Sequence, residues 1–86
     1  MTRIFLYQIK RNRKGHINKN ATVADAIRYC ISNYGRFTAY DVLAVINNLL
    51  PESEQLSLKD VQRRLSKAAD LGFVLERIGS YYHQRG

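Results

Sequence analysis

The feature that most restricts the fold of this chain is a helix-start signal that occurs twice. Thr38 is followed three residues later by Asp41, and Ser57 is followed three residues later by Asp60. A hydroxyl side chain at the N-cap with an acidic side chain at the third helical position forms a capping box, here with a short acid. Apolar residues recur at helical spacing after each start, so the sequence predicts two successive short helices.

The ends of these two helices are also marked. Pro51 cannot continue the first helix, and Gly72 is a typical residue after the end of the second. The predicted helices therefore cover residues 39–50 and 58–71. The side chains predicted to face the core are Val42, Leu43, Ile46, Leu49 and Leu50 in the first, and Leu58, Val61, Leu65, Ala68, Ala69 and Leu71 in the second.

A further helix is predicted upstream, over residues 23–34. Thr22 has the character of an N-cap, and Gly35 suits the end of the helix. The apolar positions are Val23, Ala26, Ile27, Cys30, Ile31 and Tyr34. Because Cys30 lies on this apolar stripe without an adjacent base, we interpret it as a buried structural thiol.

Periodicity changes at Phe73. Two β-prone runs follow, separated by Gly79 and Ser80, a pair suited to a type II′ turn. The sequence therefore predicts a β-hairpin over residues 73–85. On its second strand either Tyr81 or Tyr82 is expected to lie in the core, and the sequence leaves open which.

Three helices that are each too short to be stable alone must share one core, with the hairpin covering its open side. This order predicts an α+β, mostly α, winged helix-turn-helix domain at residues 23–86, preceded by a basic N-terminal strand or arm at residues 1–22. A chain of 86 residues is too small for a deep enzyme cleft. With no nucleophile and base grouped together and no zinc-type spacing, we expect no enzyme activity, no metal and no cofactor.

Residues 37–77 resemble the DNA-binding half of winged-helix transcriptional regulators. The resemblance is carried by Phe-Thr-Ala-Tyr-Asp-Val-Leu, by Ser-Leu-Lys-Asp-Val-Gln-Arg-Arg-Leu and by Leu-Gly-Phe-Val-Leu-Glu-Arg, and ferric-uptake-regulator proteins are the most similar in pattern. It implies that the third helix recognises DNA and that the hairpin is the wing. Residues 1–86 contain no counterpart of the metal-binding and dimerisation half of that family, so we do not carry over metal regulation from the resemblance.

The net charge of +7 is concentrated near the start, because residues 1–22 contain six cations and no acid. Such a cluster suits a phosphate backbone or an anionic membrane surface. Within it, Arg3–Ile9 is predicted as a short strand or the first turns of a helix, and residues 10–20 as a loop or flexible arm. The cations assigned to the arm as DNA contacts are Lys10, Arg11, Arg13, Lys14 and Lys19.

Turning the apolar stripe of the third helix inward leaves a polar face for DNA. The side chains predicted to contact bases are Lys59, Gln62, Arg63, Ser66 and Lys67. Those predicted to contact the DNA backbone or form the wing are Arg36, Ser57, Arg77, Gly79, Ser80 and Tyr82. Asp60 would repel a phosphate at the start of this helix unless the cap holds its carboxylate.

The sequence thus predicts a sequence-specific double-stranded DNA-binding protein, a small transcriptional regulator of the viral, plasmid or archaeal kind. We expect an intracellular, nucleoid- or viral-DNA-associated homodimer, with no membrane span because no run of about 18 apolar residues exists. The alternative is a winged-helix protein-interaction module that docks a protein partner through the basic arm.

Overall fold

The computed structural model describes residues 11–85, so the predicted Arg3–Ile9 strand and the arm residue Lys10 lie outside the described residues. In this range the fold is α+β and mostly helical, compatible with a winged helix. The helices are α1 (Lys19–Tyr34), α2 (Ala39–Asn47) and α3 (Leu58–Ser66), with short 3-10 turns at Glu52–Glu54 and Ala68–Leu71. The strands β1 (Arg36–Phe37), β2 (Leu75–Ile78) and β3 (Tyr81–Gln84) form one antiparallel sheet.

Helix α1 begins earlier than the sequence predicted, so the assignment of Thr22 as its N-cap was wrong. The side-chain oxygen of Asn18 accepts the backbone N–H of Ala21 at 3.0 Å and caps the helix instead. Asparagine is as good an N-cap as threonine, but the polar residues that follow it carry no apolar periodicity to reveal a helix. Thr22 is buried inside α1, and the predicted boundary between arm and domain falls within this helix.

The segment from residue 11 to the start of α1 is a turn, which agrees with the predicted loop and not with its alternative, a flexible arm; residues 19 and 20 belong to α1. Arg11 and Ile17 pair as an antiparallel bridge across it. At its centre the side-chain oxygen of Asn12 accepts the backbone N–H groups of Lys14 at 2.9 Å and His16 at 3.1 Å. Ile17 packs against the core, so this turn belongs to the domain.

Both predicted capping boxes are confirmed, but α2 ends at Asn47 and does not extend to residue 50. The side chain of Asn47 bridges to the backbone of Leu56: its oxygen accepts the N–H at 3.0 Å, and its nitrogen donates to the C=O at 3.2 Å. This clamp fixes the connection between α2 and α3. The apolar periodicity of the sequence continues past the end of α2 because Leu49 and Leu50 still pack on the core although they lie outside the helix.

Helix α3 is likewise shorter than predicted, so a continuous helix over residues 58–71 was wrong. Lys67 leaves helical geometry with φ −118° and ψ 35°, and the chain tightens into the 3-10 turn that follows. Gly72 ends that turn in the left-handed region with φ 89°, as predicted. The N–H of Phe73 then donates to the C=O of Ala68 at 3.0 Å and turns the chain toward β2.

One hydrophobic core lies between the three helices and the sheet. Its fully buried members are Val23, Ala26, Ile27, Cys30, Phe37, Val42, Ile46 and Val61. Two side chains predicted to face this core are exposed: Tyr34, at 54%, and Ala69. Tyr34 is the last residue of α1, beyond the packed part of the helix, and Ala69 lies in the 3-10 turn, where helical spacing no longer holds.

The hairpin is confirmed and gains a third strand that the sequence did not predict. Gly79 has φ 64° while no described non-glycine residue has positive φ, a combination that matches the predicted type II′ turn. Strand β1 pairs with β3, and its two residues are too few to show a β periodicity. This pairing fastens the hairpin to the segment between α1 and α2.

Among the helices within residues 11–85, none has both the length and the apolar character needed to cross a bilayer. Nor do three or more His, Cys, Asp or Glu side chains in this part of the chain come together as a group that could hold a metal ion.

Candidate nucleic-acid interface

The five side chains predicted to contact bases lie on one exposed face at α3 and its C-terminal end. They are Lys59, Gln62, Arg63, Ser66 and Lys67. Val61 and Leu65 occupy the opposite, buried face. Among residues 11–85, no carboxylate lies within 4.0 Å of the three cations in this set. The face therefore offers donors and positive charge that no described carboxylate pairs with directly.

At the start of α3, the acidic residue is held in the cap. Asp60 accepts the backbone N–H of Ser57 at 3.3 Å and its hydroxyl at 3.2 Å, and it lies 3.6 Å from Lys19 and 3.7 Å from Arg64. Burial disfavours the charged carboxylate, but these hydrogen bonds and cations outweigh it and lower the pKa of Asp60. The carboxylate is thus balanced by its neighbours, and the Ser57 amide and hydroxyl are engaged with it.

A groove of about 390 Å³ separates the C-terminal part of α3 from the hairpin. Leu65 and Ser66 line it on the helix side, and Arg77 and Tyr82 on the hairpin side. The Arg77 guanidinium lies 5.5 Å from the centroid of the Tyr82 ring, and its Nε donates to the C=O of Gly79 at 2.8 Å. The structure therefore places the hairpin arginine across this groove from α3 and holds it against its own hairpin.

The remaining residues that were predicted to contact the DNA backbone lie on different faces of the sheet or at its tip. Tyr82 is half-buried and stacks on Phe37, whereas Tyr81 is exposed on the other face with the Arg36 guanidinium 5.7 Å from its ring centroid. Side chains alternate along strands, so Arg36 lies on the face opposite Arg77. Arg36 is not brought together with the α3 face, and the turn residues Gly79 and Ser80 are exposed at the hairpin tip.

Within the described residues, the predicted basic arm does not form one continuous set. Arg11 makes a two-point ion pair with Glu54, at 2.6 Å and 3.0 Å, which lowers the pKa of that carboxyl. Lys19 belongs to α1 and faces α3. Arg13 and Lys14 are exposed in the turn, without a carboxylate within 4.0 Å among residues 11–85.

Sequence reasoning missed Arg64 and Asn20. Arg64 is half-buried; its Nε donates to the side-chain oxygen of Asn20 at 2.8 Å and its Nη1 to the C=O of Asp60 at 3.0 Å. The spacing of Asp60 and Arg64 along one helix was a usable signal for an ion pair. Nothing in the local sequence indicated Asn20, because its partner lies 44 residues away.

The thiol of Cys30 lies in an environment that suppresses its reactivity. The residue is fully buried, and burial together with the nearby charge of Asp41 raises the pKa of the thiol to about 12. This environment confirms the interpretation of Cys30 as a buried structural thiol, since the reactive form is the thiolate.

Comparison with protein-family models, with curated proteins and with solved structures found no match for this chain. The resemblance of residues 37–77 to winged-helix regulators therefore stays a prediction. A function for the chain rests on the geometry and charge of its own residues.

Proposed function

We propose that this protein is a winged-helix DNA-binding protein that places α3 in the major groove and uses the hairpin as a wing, without catalysing a reaction. One observation carries the proposal. The exposed α3 face presents Lys59, Arg63 and Lys67 without a carboxylate partner among residues 11–85, while Arg77, held in place within its hairpin, lies across a groove from the same helix.

The side-chain chemistry of this face suits base recognition. Gln62 can bond adenine through two hydrogen bonds and Arg63 can do the same with guanine, each pair giving about 1–3 kcal/mol of discrimination. Both side chains are exposed in the middle of α3. These two residues supply the sequence preference in the proposal.

Phosphate contacts fix the pose and supply affinity that does not depend on sequence. Arg77 and the tip at Gly79 and Ser80 contact one side of the site in this proposal, and the exposed cations Arg13 and Lys14 add attraction to the backbone. The pairing of Arg11 with Glu54 removes that arginine from the set.

Regulation of transcription by a homodimer extends the proposal. A single domain of this size covers a short stretch of DNA, and a symmetric dimer doubles the site it recognises. Sedimentation at micromolar concentration tests this step, since a 10.0 kDa species for the free protein, together with one chain per duplex in the complex, contradicts it.

The test of DNA binding is selection of bound sequences from a random duplex library at near-physiological salt. We expect enrichment of a defined motif by the unaltered protein. Gln62→Ala and Arg63→Ala should change the motif, whereas Arg85→Ala, which removes an exposed cation just after β3, should keep it. Absence of duplex binding even at about 50 mM salt, where phosphate contacts are strongest, contradicts the proposal.

A protein-docking module is the second candidate. It is favoured by Ile78 and Tyr81, which are 60% and 47% exposed and pair across β2 and β3. The exposed cations Arg13 and Lys14 would attract an acidic partner. Failure to bind duplex DNA, together with a stoichiometric protein complex lost in Ile78→Glu, would decide for this candidate.

A further inference from the structure

A second cavity, of about 230 Å³, lies on the flank of α3 away from the hairpin, at the seam with the start of α1. It shares no lining residue with the groove beside the hairpin. Its lining consists of Asn20, Arg63, Arg64, Lys67, Asp70 and Leu71. Three of these six side chains are cations, and one is an acid.

The Arg64 guanidinium at this seam is held from two sides. Asn20 accepts from its Nε at 2.8 Å and the C=O of Asp60 accepts from Nη1 at 3.0 Å. The side chain is 19% exposed, so the neighbouring residues restrict its motion. A guanidinium fixed in this way loses little conformational entropy when an anion binds.

The charge of the seam is not balanced within the described residues. The single Asp60 carboxylate lies near both Arg64 and Lys19. It can balance only one of these two positive charges, so one remains in excess. Arg63 and Lys67 have no carboxylate within 4.0 Å among residues 11–85. Asp70 is the one carboxylate that lines the cavity, against three cations.

We infer that this seam binds a backbone phosphate of the DNA duplex, with Lys67 reaching the phosphate and Arg64 contributing fixed positive charge. The inference rests on the proposed function and changes one residue's role within it: Lys67 binds the backbone and does not read a base. The duplex then contacts the protein on both flanks of α3, through Arg77 on one side and the seam on the other.

The experiment measures the affinity for a selected duplex and for a duplex of unrelated sequence between 50 and 200 mM salt. Lys67→Gln should weaken binding to both duplexes by the same factor. It should also reduce the slope of log affinity against log salt by about 0.9, which is roughly a three-fold smaller loss of affinity across that salt range. Arg85→Gln is the matched control and should leave the slope unchanged.

A second variant separates binding from folding. Asn20→Asp places a carboxylate beside Arg64 in the first turn of α1, where an acid suits the helix dipole, so the melting temperature should not fall. Its affinity for both duplexes should fall by several-fold, as expected when a negative charge opposes a phosphate.

Three results would overturn the inference. If the unaltered protein binds both duplexes and neither variant changes affinity or salt slope, the seam is not a contact. If Lys67→Gln changes the ratio of affinities for the two duplexes at constant slope, Lys67 reads a base. If the unaltered protein binds no duplex, the proposed function itself fails and the inference fails with it.

Discussion

The ring of Tyr82 stacks on the ring of Phe37, with the centroids 6.0 Å apart and the planes inclined by 24°. The same two residues are paired across β1 and β3. Since Phe37 is fully buried in the helical core, this contact fastens the sheet to the helices. The hairpin that carries Arg77 is therefore positioned by an aromatic pair as well as by backbone hydrogen bonds.

Replacing Tyr82 tests that attachment. Tyr82→Ala should lower the free energy of unfolding by about 2 kcal/mol, less than a fully buried aromatic because the ring is half-buried. Tyr82→Phe keeps the ring and should cost under about 1 kcal/mol. Urea unfolding measures both, and equal losses in the two variants would contradict the assignment of the stabilisation to the ring.

The carboxylate of Asp60 should make α3 sensitive to acid. Its folded-state pKa is lowered, so its contribution to stability is fully present above the unfolded value of about 3.9 and is lost as the pH falls through the folded value. Asp60→Asn should therefore be less stable than the unaltered protein at pH 7 by up to about 1 kcal/mol.

Urea unfolding of both proteins at pH 7 and near pH 3 measures this effect. Other carboxylates titrate in both proteins, so they cancel in the difference. We expect the difference to shrink at the lower pH, and a difference of the same size at both pH values would contradict a charge-dependent role for Asp60.

The cations of the turn before α1 should differ in their effect on DNA binding. The double variant Arg13→Gln, Lys14→Gln removes two exposed charges and should weaken binding to every duplex and reduce its salt dependence. Arg11→Gln should change binding less, because Glu54 already engages that guanidinium. Affinity measured against salt concentration distinguishes them, and an equal effect of Arg11→Gln would show that the ion pair opens on binding.

The Cys30 thiol should be unreactive in the folded protein. It is fully buried and its pKa is raised to about 12, so both access and the thiolate form are suppressed at neutral pH. A chromogenic disulfide reagent should titrate no thiol until urea unfolds the chain, and one thiol afterwards. Rapid reaction of the folded protein would contradict the packing of α1.

The starts of α2 and α3 and the end of α1 at Gly35 could be predicted from the sequence, whereas the ends of α2 and α3 could not. The capping boxes at Thr38 and Ser57 are made by residues three positions apart, so short-range pattern suffices. The early end of α2 depends on the clamp between Asn47 and Leu56. That contact crosses a turn, and the amino-acid pattern of α2 itself carries no sign of it.

In the candidate interface, too, some features could be predicted from local sequence and others could not. Helical periodicity alone identified the exposed residues Lys59, Gln62 and Arg63, because each position's orientation follows from its spacing to buried neighbours. Helical periodicity did not predict which side chains the other cations would bind. Arg11 meets Glu54 and Arg64 meets Asn20 over separations of 43 and 44 residues, and no local pattern encodes which distant side chains meet.

By itself, the sequence determined the order of three helices and a hairpin, the polar face of α3 and the excess of positive charge. These depend on local spacing, turn chemistry and composition. Only the tertiary structure decided that β1 joins the sheet, that Lys19 lies close to Asp60, and that Arg77 lies across a groove from α3. Each of these requires packing around one core to bring distant segments together, and it is that packing which decides which charges are paired and which remain exposed.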